Sequence, residues 1–179
     1  MSSFRTLCVV ACIGLTLAGC GFRPLYAPPD EDTAGRGVYA FDIFKRVSID
    51  TIPNREGQYF RNQLVQLLQP SGRGSQTDYV LKVVLNESSE ALAVQKSALA
   101  TRANLRVTGR FTLQNLNNKG LDTNGTVTTL SGYNIYQSEF QTLMAEKGAR
   151  ERALDDLAQQ LRIRLAAVLT SREGAKPKP

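Results

Sequence analysis

The chain contains no histidine and no tryptophan among its 179 residues, and only three cysteines. Without histidine it can form no Ser-His-Asp triad and no Cys-His pair, and with only three cysteines it also lacks the ligands of the usual zinc sites. A carboxylate pair or a Ser-Lys dyad would still be chemically possible. The acids are scattered, however: Asp155 and Asp156 are helix neighbours that point in different directions, and Asp30-Glu31-Asp32 lies in a proline-rich stretch. No glycine-rich phosphate loop is present. We therefore predict a protein that is not an enzyme and that uses no metal or cofactor.

Two of the three cysteines lie in an N-terminal segment with the plan of a secretory signal. Arg5 is the only charged residue among the first twenty, and an apolar run follows from Thr6 to Leu17. This run has the length of a signal-peptide core and is too short for a transmembrane helix, which needs about 20 apolar residues. Cys8 and Cys12 fall inside it. Removal of the segment would leave the mature domain without a disulfide.

The segment ends in Leu17-Ala18-Gly19-Cys20, which resembles the bacterial lipoprotein box at all four positions. The resemblance implies cleavage between Gly19 and Cys20, a diacylglycerol on the Cys20 thiol and an acyl chain on its new amine. One acyl chain binds a membrane only marginally, whereas several chains on one residue anchor it stably. Gly21, where an aspartate would favour inner-membrane retention, implies attachment to the inner leaflet of the cell outer membrane, on the periplasmic side.

Removal of residues 1–19 leaves 160 residues, enough for one domain with a core. Without Arg5, 21 basic residues face 16 acidic ones, and the net charge of +5 moderately favours acidic partners. The stretch from 21 to 37 holds three prolines and predicts an extended tether, on the order of 50 Å when stretched. We therefore expect a signal peptide at 1–19, a lipidated N-terminus and tether at 20–37, a single domain at 38–172 and a disordered basic tail at 173–179.

Hydrophobic periodicity predicts the elements of that domain. The alternation in 38–52 indicates a strand, in which Phe44 is an exception on the polar face, and Glu87 to Leu99 reads as a hairpin region. Gly125 and Gly132 suggest bulges or kinks in the last strand. Glu146 and Arg150 have the spacing of a favourable ion pair on a helix. The predicted strands cover 38–52, 78–92, 101–116 and 123–137, and the predicted helices cover 55–69 and 144–170.

This order predicts an α+β fold: a two-layer sandwich of a four-stranded, mainly antiparallel sheet with two amphipathic helices packed on one face. The other face of the sheet would stay polar. On that face Arg102, Arg106 and Arg110 point the same way, about 13 Å apart, and Lys82 of the preceding strand could join them.

These basic residues allow two interpretations. One is a solvated sheet face on which arginine maintains solubility. The other is a contact surface for an anionic partner, either lipid phosphates or the acidic lining of another protein, since guanidinium groups match phosphate bidentately and stay charged. We expect no nucleic-acid partner, because no aromatic residues interleave with these arginines and an outer-membrane lipoprotein does not meet nucleic acid.

Three stretches of the mature chain resemble the lipopolysaccharide-assembly lipoprotein family (LptE). They are Cys-Gly-Phe-Arg-Pro-Leu-Tyr at 20–26, Thr-Arg-Ala-Asn-Leu at 101–105, and Ser-Gly-Tyr-Asn-Ile at 131–135, which leads into the last helix. The resemblance implies an outer-membrane lipoprotein that binds and plugs the LptD β-barrel, helps its assembly and contacts lipopolysaccharide. Arg102, Arg106, Arg110 and Lys82 are candidate contacts for lipopolysaccharide or the protein partner, and they are chosen from the strand pattern alone.

A second function stays open at this point: a free-standing, periplasm-facing lipoprotein that carries a lipid or an envelope precursor, or acts as its chaperone. Such a carrier needs an enclosed apolar cavity, and the interior leucine, valine and isoleucine residues of the short strands leave little volume for one.

Overall fold

The computed structural model describes residues 40–92, 101–118 and 121–173. The predicted signal peptide, its cleavage site at Gly19 and Cys20, the tether and all but the first residue of the tail lie outside these ranges. So do residues 93–99 of the expected hairpin region.

The described residues form a four-stranded sheet with the strand order β1-β2-β3-β4. β1 is parallel to β2, whereas β2, β3 and β4 are antiparallel neighbours. The predicted α+β sandwich is thereby confirmed, with a sheet that is mixed rather than purely antiparallel. The elements, in chain order, are α1 (Ala40–Phe44), β1 (Val47–Ile49), α2 (Asn54–Leu68), β2 (Tyr79–Leu92), β3 (Arg102–Asn115), β4 (Thr123–Asn134) and α3 (Glu139–Glu173).

The prediction of one strand over 38–52 is wrong. Residues 40–44 form the short helix α1, and only Val47–Ile49 is a strand. Ile43 and Phe44 are neighbours in sequence, yet they are 0% and 3% exposed. A strand would send them to opposite faces, whereas a helical turn can bury both. Phe44 is therefore a core residue rather than an exception on a polar face.

Helix α2 connects β1 to β2, which is why those two strands can run parallel. It starts directly after Pro53, whose φ of −65° suits a helix start. Phe60, Leu64 and Leu68 recur every four residues and are buried. After the helix, the Gln69 side chain donates hydrogen bonds to the carbonyls of Phe44 and Val47 and ties this end to β1.

Strand β3 is central, and its alternate residues divide between the two faces of the sheet. The face toward the helices holds Ala103, Leu105, Val107, Phe111 and Leu113, all buried. Its register with β4 is continuous through Gly125 and Gly132, so the bulges predicted at these glycines are wrong. Gly125 has another role: a Cβ there would lie 2.7 Å from Cζ of Phe111, so the missing side chain makes room for that ring.

Helix α3 begins at Glu139, five residues before the predicted start, and packs on β4, β3 and α2. Its buried residues include Leu154, Leu157, Leu161 and Leu165, as the periodicity predicts. The predicted helix leaves out this first turn, whose Phe140 and Leu143 are exposed and lie outside the core. The Thr142 hydroxyl accepts a hydrogen bond from the Tyr136 amide at 2.9 Å and caps this start.

An ion cluster joins α3 to the inner face of β2. Arg150 Nη2 lies 2.7 Å from Glu146 Oε1, which confirms the predicted pair. Arg150 Nε also lies 2.8 Å from Glu87 Oε2. The hydrogen bond to Glu87 is the main reason that the pKa of Arg150 is raised above its usual value. The guanidinium therefore stays charged and holds the strand to the helix.

Candidate functional site

The candidate site is the face of the sheet that points away from the helices. The structure places Arg102, Arg106 and Arg110 on this face of β3, and all three side chains are exposed. Because they are four residues apart on one strand, neighbouring arginines are separated by about 13 Å. The stripe that the strand pattern predicts therefore exists as a geometric feature; its role as a binding site stays a prediction.

Lys82 lies on the same face of β2. It pairs with Thr112, while Val84, two residues along, pairs with Arg110. Lys82 and Arg110 are therefore diagonal neighbours across the strand pair, at about 7–8 Å between backbones. The structure thus brings Lys82 next to one end of the arginine stripe. We call Lys82, Arg102, Arg106 and Arg110 the basic stripe.

The basic stripe is not neutralised by its surroundings. Within the strand residues that the structure describes, Glu90 is the only carboxylate on this face, against four cations. Glu87, three residues earlier on the same strand, points to the opposite face and is engaged by Arg150. In the described ranges, no ion pair or hydrogen bond engages any of the four side chains of the stripe. This face therefore keeps its cationic groups available to an anion from outside.

Each arginine of the stripe has an exposed apolar side chain directly opposite it on a neighbouring strand. Val84 of β2 pairs with Arg110, Leu92 of β2 with Arg102, and Leu130 of β4 with Arg106. These side chains are 68%, 37% and 54% exposed. The face therefore alternates cationic and apolar groups, which is the chemistry of a surface for anionic amphiphiles. Sequence reasoning missed the apolar members because only the register between strands reveals them.

A second concave feature lies between the first turns of α2 and the first half of α3. It is a half-open groove of about 390 Å³. Tyr59, Leu143, Met144 and Leu154 supply apolar lining, and Arg55 and Lys147 are among its charged residues. Within the described ranges, no group of three or more histidine, cysteine, aspartate or glutamate residues could hold a metal ion.

Fold and site together define a small two-layer α+β domain with a basic, partly apolar sheet face. Residues 44–165 match the profile of the LptE family, described as lipopolysaccharide-assembly. Because the match covers well over half of the chain, the protein belongs to the LptE family, as the resemblance of the short stretches indicates. No curated protein sequence matches the chain.

Solved structures with the same fold are lipoproteins of several bacteria. One from Caulobacter crescentus is 22% identical, covers 73% of this chain and 95% of its own, and has a TM-score of 0.57. Rare lipoprotein B from Shewanella oneidensis is 9% identical. The match covers 71% of this chain and 96% of that protein, with a TM-score of 0.57. A minor lipoprotein from Acinetobacter baumannii is 23% identical. The match covers 70% of this chain and 94% of that protein, with a TM-score of 0.53. At these identities the likeness establishes the fold alone. None of the described helices is both long and apolar enough to cross a membrane.

Proposed function

We propose that this protein is an outer-membrane lipoprotein, anchored through acylated Cys20 on the periplasmic side, that binds and plugs the LptD β-barrel and assists the assembly of lipopolysaccharide. Family membership supports the assembly role. The lipoprotein box at 17–20 supports the anchor. The names of the neighbours, which include rare lipoprotein B, agree with a lipidated protein.

One structural observation carries the lipopolysaccharide part of the proposal: each arginine of the basic stripe lies beside an exposed apolar side chain. Lipopolysaccharide presents phosphate groups and acyl chains close together. Guanidinium groups bind phosphates bidentately, and exposed valine and leucine side chains gain free energy when acyl chains cover them. A face that served only solubility would not need apolar residues at these positions.

The barrel partner is tested by affinity purification of the full-length, lipidated protein from gently solubilised outer membranes. The proposal predicts that an outer-membrane β-barrel protein of much larger mass co-purifies, and mass spectrometry identifies it. Isolation of the protein alone, at comparable yield and with its lipid intact, would contradict the partner. Replacement of Cys20 by alanine serves as the control for the anchor, because it should abolish acylation and move the protein out of the membrane fraction.

Lipopolysaccharide contact is tested by replacing Arg102, Arg106 and Arg110 together with glutamine. Loss of three charge-assisted contacts should weaken lipopolysaccharide binding at least about tenfold. The unfolding midpoint should change little, because exposed substitutions usually cost less than about 0.5 kcal/mol each. A matched control replaces Arg55, Lys147 and Arg152 on the helices with glutamine, which removes the same charge from another surface. Equal affinity in the stripe variant would return these arginines to a solubility role.

The carrier function has one observation in its favour, the groove between α2 and α3. The groove is open to solvent on one side, whereas a carrier has to keep whole acyl chains out of water. The control triple variant also tests this alternative, since Arg55 and Lys147 line the groove. The carrier would be favoured if the native protein and the stripe variant bind a single-chain fatty acid stoichiometrically and the control triple variant does not.

A further inference from the structure

The outer edge of β4 is an open strand edge. β4 is the last strand of the sheet, and within the described residues no strand pairs with its far side. The Ile135 amide donates to the Thr101 carbonyl at 3.0 Å, in line with the β3–β4 register. Odd-numbered residues of β4 therefore turn their backbone groups toward β3. Because the direction alternates along an antiparallel strand, the even-numbered residues turn theirs to the open edge.

One contact supports this assignment independently. Arg164 of α3 donates from Nη1 to the carbonyl of Thr126 at 2.9 Å. That carbonyl can be reached from the helix layer because it lies on the open edge. In the described part of the chain, no hydrogen bond occupies the edge-facing amides and carbonyls of Thr128, Leu130, Gly132 and Asn134. A row of donors and acceptors about 20 Å long is thus available to another strand.

The edge also lacks the devices that normally prevent strand pairing. Natural edge strands carry charges, prolines or bulges, or are very short. β4 has 12 residues, no charged residue and no proline, and its register has no bulge. The other side of the sheet differs, because β1 covers the start of β2 and the open part of β2 carries Lys82, Glu87 and Glu90. The protection is missing on one side only.

The surrounding charge indicates which kind of strand would fit. A strand added beside β4 would lie two strand spacings, about 10 Å, from β3. Its outward side chains would face the basic stripe across Thr126, Leu130 and Asn134, and one end would meet Arg164. Acidic side chains of glutamate length at alternate positions would reach toward these guanidinium groups, whereas lysine would be repelled.

We propose that the edge of β4 is a docking site for an extended, acidic segment of a partner protein, which adds a fifth strand to the sheet. Backbone hydrogen bonds supply the affinity, and alternate glutamate or aspartate side chains opposite the basic stripe supply the selectivity. The inference goes beyond lipopolysaccharide assembly. It requires neither the barrel partner nor a lipid.

The test uses full-length protein in mild detergent and a fluorescent synthetic peptide of about ten residues that alternates glutamate with valine and threonine. Fluorescence anisotropy measures its affinity. Thr128→Pro removes an edge-facing amide and places a ring where the peptide would pair, without touching the β3 ladder. Thr128→Ala is the matched control, because both variants lose the hydroxyl that lies 3.3 Å from that of Thr108. Thr128→Pro should weaken peptide binding at least about tenfold and Thr128→Ala less than about twofold.

Two further peptides keep the test decisive if Thr128→Pro fails to fold. A peptide N-methylated at alternate amides cannot complete a strand ladder, and a peptide with lysine in place of glutamate reverses the charge. Both should bind at least about tenfold more weakly than the acidic peptide. Equal binding of either one overturns the proposal. The proposal is also overturned if the native protein binds no acidic peptide but forms concentration-dependent dimers that Thr128→Pro abolishes. The occupant of the edge would then be a second copy of this chain.

The result is separable from the lipopolysaccharide assay. If the acidic strand docks as proposed, Thr128→Pro should lose the peptide and keep lipopolysaccharide within about twofold of the native affinity. Loss of lipopolysaccharide binding alone in Thr128→Pro would count against the strand proposal. A stripe variant that keeps its lipopolysaccharide affinity would count against the proposed function and leave the strand proposal standing if the acidic peptide still binds the native protein.

Discussion

The two faces of β3 are made from alternate residues of one 14-residue strand, and they meet opposite surroundings. On one face Phe111 and its neighbours are covered by α3. On the other, Arg110 and the rest of the basic stripe stand in solvent. The free energy of folding comes mainly from apolar area removed from water, so the first face determines stability. The second face can vary without unfolding the domain, so it is available for the binding that we propose.

The largest expected effect separates two adjacent residues. Phe111→Ala removes a ring that is buried between α3 and Gly125 and should cost about 3–5 kcal/mol of unfolding free energy. Arg110→Ala, one residue earlier on the exposed face, should cost less than about 0.5 kcal/mol. Urea denaturation followed by circular dichroism measures both values. Equal losses of unfolding free energy in the two variants would show that the exposed face contributes to stability as much as the buried face does.

The second prediction concerns the glycine beneath that ring. Gly125→Val would place its Cβ 2.7 Å from Phe111 Cζ, so the ring has to move, at a cost of about 1–3 kcal/mol. Gly132→Val is the control on the same strand, because its nearest contact would be the Asn104 side-chain oxygen at an ordinary 3.5 Å. Combining Gly125→Val with Phe111→Leu should recover part of the loss. Additive losses would contradict a steric cause.

The sequence was sufficient to predict the alternation of β3 and the helical face of α3, because both depend on residues close together along the chain. Arg102, Arg106 and Arg110 could be assigned to one face for the same reason. The apolar partners Val84 and Leu130 could not, since their positions depend on register. Register is determined by the whole sheet. The open edge of β4 also required the strand order.

Two local errors have a similar physical origin. In α1, a short run of mostly apolar residues fits a helix and a strand equally well by periodicity, and only the burial of both Ile43 and Phe44 in the folded chain distinguishes them. Gly125 suggests a bulge by its residue type. Its actual role depends on Phe111 across the strand pair, and this contact becomes visible only when the register is known.

The third prediction compares two arginines with different partners. Arg150 on the inner side binds Glu87 and Glu146, whereas Arg110 on the outer side has no ion pair in the described ranges. Glu87 Oε1 is already buried without a hydrogen-bond partner, and Arg150→Met would also remove the partner of Oε2. We expect this variant to lose about 1–3 kcal/mol of unfolding free energy. Arg110→Met should be nearly neutral. In the double variant with Glu87→Gln, part of the Arg150 loss should be recovered, since the stranded charge is gone. Strict additivity would mean that the pair contributes no coupling.

The smallest expected effect lies in the helix layer on the inner side. The Tyr59 hydroxyl donates to Asp155 Oδ1 at 3.1 Å and links α2 to α3. Partial burial is the main cause of the raised pKa of Tyr59, and the hydrogen bond and charge of Asp155 raise it further, while Gln63 opposes them. Because the folded-state pKa exceeds the unfolded one, this stabilisation is complete below about pH 10 and is lost as the pH rises through the folded-state value. Tyr59→Phe should lose about 0.5–1.5 kcal/mol at neutral pH and decline less steeply between about pH 9 and 11 than the native protein. Parallel pH profiles of the two proteins would rule out the linkage through Tyr59.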